Sequence, residues 1–168
     1  MSIAEALERA SAYLTEHPEE ARYRDSFARA SLVSGLLVNV SGPGGETMTT
    51  DMPRGIGGGA SVPSPGWYFR AAAASCVVAL VGIRAATLGI ALSGVEVEVD
   101  SESDDRGILG LSDAIPSGAL SVKVVVSIRA AGRSGAELDG LARWAIDHCP
   151  VIDTVRRAVA VEIEVRTA

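Results

Sequence analysis

Lysine, histidine, cysteine and aromatic residues are all scarce in this chain. Lys123 is the only lysine among fifteen basic residues, which reads as a composition bias rather than a functional signal. There are two histidines, His17 and His148, in unlike surroundings, so a metal centre has little to build from and none is expected. His17 reads as a solvated helix end. Two cysteines, Cys76 and Cys149, in 168 residues do not make a disulfide scaffold. Positive charge is in deficit: the net charge of −6 argues against a chain that wraps nucleic acid. The opening MSIAEALERASAYL lacks a basic segment followed by an apolar stretch, so no signal peptide is expected. The longest apolar run, 71–92, is interrupted by Arg84, Gly82 and Gly89 and has no flanking basic anchors, so a buried core helix is expected rather than a membrane span. Together these point to a cytoplasmic location with thiols reduced at rest. No Walker A sequence, internal repeat or low-complexity tract is present.

What the chain does have is a core. About 48% of its residues are hydrophobic and its charges are scattered, which is the composition of a folded domain. Ile3, Leu7, Ala10 and Leu14 recur at helical spacing and Pro18 ends that pattern, so an amphipathic helix is predicted over 3–17. Residues 26–40 read as one strand, 41–45 (SGPGG) as a turn, and 46–52 as a return strand. Residues 53–65 form a Gly/Pro-rich loop. Ser64 suits an N-cap and Pro65 the first helical position, so a helix is predicted from there to about Leu88, with Gly89 at its end. Val95, Val97 and Val99 alternate with Glu96, Glu98 and Asp100, and Val122, Val124 and Val126 form a second alternating set. A second amphipathic helix is predicted over 134–148, a short one over 151–157, and a last strand over 158–165.

This order predicts an α+β fold with a mostly antiparallel sheet wrapped on a long central apolar helix. A helix apolar on every side needs cover on every side. One small sheet covers one side, and a partner subunit is the simplest source of the other layer.

Gly55-Ile56-Gly57-Gly58-Gly59-Ala60 matches a dinucleotide-binding pattern formally. It follows Asp51-Met52-Pro53-Arg54 and runs into Val62-Pro63-Ser64-Pro65, so no strand–turn–helix aims amides at a pyrophosphate. It reads as a loop, and no cofactor is expected. Trp67, Tyr68 and Phe69 are three of the seven aromatics and form either core packing or the wall of an apolar ligand pocket. Cys76, amid apolar neighbours, is either an inert core thiol or a working one.

Two further segments bear on the Cys76 alternatives. GGGASVPSPGWYFRAAAASCVVALVGIRAATLGIALSGVEVEVD (57–100) and ARWAIDHCPVIDTVRRAVAVEIEV (142–165) together resemble the OsmC/Ohr family of thiol-dependent hydroperoxide reductases. The shared pattern is a Pro-containing loop, an Ala-rich helix with one Cys, a GVEVEV strand, and a second Cys in a Cys-Pro-Val context. The resemblance divides the chain into an N-terminal helical extension, 1–25, and an OsmC-like domain, 26–168. It implies an intertwined α+β homodimer, with Cys76 attacked by peroxide and Cys149 resolving the product to a disulfide that a dithiol reduces. The partners implied are an organic hydroperoxide or other apolar small molecule, a dithiol and a second copy of the chain, with no nucleic acid and no membrane.

The family's activating Glu lies ten residues before the first Cys, after a Pro; here Gly66 follows Pro65. The family's Arg lies in the early strand–turn region, where VNVSGPGGETM contains none. A non-catalytic small-molecule-binding dimer is therefore the alternative. Cys76 stands about twelve residues into its helix, beyond the reach of the helix dipole. An apolar surrounding raises a thiol pKa, so a cation is needed. Arg70 lies about 120° round the helix and Arg84 about 12 Å along it. Arg54, in the preceding loop, is the candidate substitute, ahead of Arg24, Arg29 or an arginine of a partner chain. Cys149, before a proline at a helix end, is expected to be partly exposed. His148 is either a dipole-favoured helix end or a proton shuttle.

Overall fold

A computed structural model describes residues 1–167, which divide into two compact units between Ala71 and Ala72. The first unit opens with helix α1 (Ile3–Glu16). A reciprocal capping box starts it: Ser2 Oγ accepts from Glu5 N–H, and the Glu5 carboxylate accepts from Ser2 N–H. His17 caps its end and Pro18–Ala21 follows as a 3-10 turn. His17, Glu19 and Glu20 cluster there in an exposed turn of potential metal-ligating side chains, with His17 Nδ1 3.7 Å from Glu19.

The expected single strand over 26–40 is a hairpin. Strand β1 (Arg29–Ser34) pairs antiparallel with β2 (Leu37–Ser41), and Ser34 faces Leu37 across the turn. Gly35 makes this possible: its φ of +55° suits a two-residue hairpin turn and is available to glycine without Cβ strain. An apolar run with one internal glycine therefore reads as continuous while the backbone reverses. Strand β3 (Thr47–Thr50) completes the sheet in the order β1-β2-β3.

The loop before the long helix is organised by one carboxylate. Asp51, 3% exposed, accepts from the N–H groups of Met52, Gly59 and Ser61 and from Ser61 Oγ, at 2.8, 3.2, 3.0 and 2.8 Å. A Cβ at Gly58 would collide with the Met52 carbonyl oxygen, so only glycine fits there. Helix α2 (Pro65–Thr87) then begins where Ser64 and Pro65 predict: Trp67 N–H donates to Ser64 Oγ at 3.3 Å.

The second unit contains most of α2, strand β4 (Gly94–Glu102), the short helix α3 (Asp105–Ile108), strand β5 (Ser121–Arg129), and helices α4 (Gly135–Asp147) and α5 (Pro150–Arg156). β4 and β5 form an antiparallel ladder with Val97 opposite Val126 and Val99 opposite Val124. Ala73, Val77, Val81 and Ala85, four residues apart, are the buried stripe of α2. They pack with Leu141 and Ala145 of α4, with Cys149 and Ile152, and with the inward valines of both strands. Each fully buried valine or leucine here contributes about 1.5–3 kcal/mol. By length and composition α2 is apolar enough to cross a membrane, but this stripe places it in a packed core. Gly89, at φ +64°, turns the chain after α2, as its position predicts.

Residues 158–165, expected as a strand, form none. Val161, Ile163 and Val165 are 79–84% exposed there. Strand order requires a neighbour for the backbone N–H and C=O groups, and within one chain this segment has none.

Candidate functional site

Cys76 lies on α2, one residue from the buried Val77, so its side chain looks along the edge of the core stripe and is half-buried. Cys149 sits between α4 and α5. His148 caps α4, and Pro150 fills the first position of α5, where its missing N–H costs nothing. Cys149 N–H donates to Ile146 O at 3.3 Å, and Cys149 O accepts from Asp153 N–H at 2.8 Å. This tight junction turns the side chain into the core, so Cys149 is fully buried rather than partly exposed as expected.

The fold brings the two thiols together: Cys76 packs against the core cluster that holds Cys149, and both are free. Burial is the main force pushing the Cys76 thiol above its usual range, and the Cys149 hydrogen bond and charge push the same way. The Val151 backbone N–H donates to Cys76 and opposes them by favouring the thiolate. The balance is upward, against the thiolate that a nucleophilic attack uses. The Val151 donor was not foreseeable from sequence, because backbone amides leave no residue-type signal.

His148 ends α4 as a capping residue. Its Nδ1 lies 2.8 Å from Trp144 O, and its ring stacks on Trp144 at 4.1 Å and 16°. Arg54 lies on a 3-10 turn, Arg54–Ile56, in the Asp51-organised loop of the first unit, where its Nε donates to Gly59 O at 3.4 Å. Trp67 and Tyr68 meet edge to face at 5.2 Å, and Tyr68 OH donates to Thr49 O at 3.2 Å. Phe69 beside them is half-buried, and Trp67 is exposed. Gly66 occupies the first turn of α2, and a Cβ there would lie 3.8 Å from Arg70 Nη1.

A search of curated proteins returned no match. Among solved structures, an organic hydroperoxide resistance protein OsmC from Legionella pneumophila is 21% identical, with TM-score 0.61, covering 80% of this chain and 91% of its own. An OsmC-like protein from Mycoplasma pneumoniae, 14% identical, reaches TM-score 0.68 over 82% of this chain and 91% of its own. The organic hydroperoxide resistance protein OhrB of Bacillus subtilis, 18% identical, gives 0.54 over 85% and 98%. The family model described as OsmC-like protein matches residues 58–164, a span that holds both cysteines, α2 and the β4–β5 ladder. The chain belongs to the OsmC-like protein family.

Proposed function

We propose that this chain is a cytoplasmic, homodimeric thiol peroxidase that reduces organic hydroperoxides through Cys76 and Cys149. The observation that carries this reading is the packing of two free thiols, Cys76 and Cys149, in one core cluster. The Cys76 thiolate attacks the distal hydroperoxide oxygen. The O–O bond breaks, the alkoxide leaves and takes up a proton as alcohol, and Cys76 becomes a sulfenic acid. Cys149 sulfur then attacks the Cys76 sulfur, water leaves, and a disulfide forms. The two electrons come from the sulfurs, and an external dithiol restores them. The cycle calls for no bound cofactor.

Arg54 is assigned as the cation that favours the Cys76 thiolate, with the Val151 amide as a second donor. Trp67, Tyr68 and Phe69 are assigned to the apolar wall that receives the organic part of the peroxide. The names of the Legionella and Bacillus relatives support the substrate class. A second copy of the chain is supported by apolar surface left bare in one: both faces of β1, Val78 on α2, and Val161 and Ile163. Residues 1–25 are assigned as a helical extension to the domain formed by 26–168.

One equivalent of cumene hydroperoxide, followed by intact mass and thiol titration, tests the reading. The wild type is expected to lose both thiols to an internal disulfide. Cys76→Ser should abolish this, and Cys149→Ser should leave a sulfenic acid that dimedone traps. Two intact thiols in the treated wild type would overturn the peroxidase and leave a non-catalytic small-molecule-binding dimer.

A further inference from the structure

Arg84 is the only charged side chain in α2 beyond Arg70. A cation on a packed helix is normally held by a carboxylate. Among the described residues Arg84 has no such partner. It lies instead over the Trp144 indole, 4.9 Å from the ring centroid, and the same indole stacks on His148. The aromatic ring fixes the guanidinium without neutralising it.

This guanidinium borders a groove of about 430 Å³, within the roughly 300–1,000 Å³ range of small-molecule sites. Leu88 and Ile90 give the groove an apolar side, and Ala136 and Gly140 of α4 keep its opposite wall low. Arg133 and the Glu137 carboxylate also line it and pair with each other at 3.1 Å, so their charges offset. The lining therefore carries one uncompensated positive charge beside an apolar floor. A guanidinium presents a planar fork that matches a carboxylate.

We propose that this groove binds a small organic monoanion, a carboxylate on an apolar body, with Arg84 holding the carboxylate. The site is separate from the thiol pair and does not depend on the peroxidase reading. Because the whole chain carries −6, its overall field does not attract anions, and selectivity rests on this local cation.

The test uses the full chain with Trp67→Phe, which leaves Trp144 as the sole tryptophan, and 2-naphthoate as the probe. Saturable quenching of Trp144 fluorescence is expected, with 2-naphthamide binding at least tenfold more weakly. Arg84→Gln should weaken naphthoate at least tenfold. Gly140→Leu is the second variant: a Cβ at this helical position meets nothing within 4 Å, so it fills the groove while keeping every charge and adding helix propensity. It too should weaken naphthoate at least tenfold, while Arg156→Gln, outside the groove, should bind as the parent does. Absence of saturable quenching, equal affinity for the amide, or parental affinity in Gly140→Leu would each overturn the proposal.

Discussion

The Val151 backbone N–H and the Cys149 side chain act on the same sulfur, that of Cys76, in opposite directions. The amide favours the thiolate. The neighbouring cysteine, together with burial, favours the thiol and prevails. Cys149 therefore acts as a brake on the first thiol's ionisation.

This relationship predicts the pH profile of Cys76. Alkylation by iodoacetamide should rise only above the ordinary thiol range, near 8.5. Cys149→Ala removes two of the three causes of the upward shift, so its Cys76 should react several-fold faster at pH 7. The sign for stability follows by linkage. A thiol whose folded pKa is raised contributes stability that is present below its unfolded pKa and is lost as pH rises towards the folded value. Melting temperatures measured from pH 7 to 10 should fall more for the wild type than for Cys76→Ser. Parallel curves would contradict the raised pKa.

Arg54→Ala separates the assigned cation from a solvated loop arginine. If Arg54 stabilises the Cys76 thiolate, the variant's alkylation profile should move to higher pH and its rate at pH 7 should drop several-fold. An unchanged rate removes Arg54 from the mechanism and leaves the disulfide chemistry to be judged separately.

Asp51 predicts an acid-side effect. Its carboxyl is held below the usual aspartate range, first by the Ser61 N–H and hydroxyl and then by the amides of Gly59 and Met52, against some desolvation. A depressed carboxyl contributes stability above its unfolded pKa, about 3.9, that is lost as pH falls through the lower folded value. Asp51→Asn should lower the melting temperature by a few degrees at pH 7, and the gap should close towards pH 2–3. Limited proteolysis should show earlier cleavage between 52 and 61 in the variant.

The exposed C-terminal segment tests the second copy. Ile163 is 84% exposed in one chain, so Ile163→Glu should cost a monomer within about 0.5 kcal/mol. In a dimer that buries it, the same change should weaken association at least tenfold, about 1.4 kcal/mol. Light scattering should give twice 17.3 kDa for the wild type and a lower average for the variant at low concentration. A monomeric wild type would remove the dimer.

Three substitutions check the packing. Leu141→Ala, at 2% exposure in the core, should cost about 2–5 kcal/mol in urea denaturation. Gly58→Ala should destabilise as well, because its Cβ meets the Met52 carbonyl, whereas Gly140→Ala should gain about 0.5–1 kcal/mol.

Much of the fold is legible in residue order. Ser64-Pro65 marks the start of α2 and Gly89 its end, and the valine alternation of 95–99 and 122–126 marks two strands, which the structure pairs with each other. Ser134 with Glu137 forms the capping box that opens α4. The hairpin at Gly35 was less visible, because apolar periodicity says nothing about a backbone reversal between two strands of similar composition. Helix α3 was missed because it is only four residues long, held by the Asp104 cap. The strand expected over 158–165 has the right alternation but pairs with neither sheet in one chain.

By itself the sequence determined the alternation of helices and strands, the apolar character of α2, and the presence of two cysteines in segments that together resemble one family. Local propensity and periodicity act between residues a few positions apart, and so they can be read along the chain. Tertiary structure decided that Cys76 packs against the core cluster holding Cys149, that Cys149 is buried, and that Arg84 rests on an aromatic ring. Those are relations between distant positions, set by how α2, α4 and α5 pack around a shared core, and spacing along the chain does not encode them.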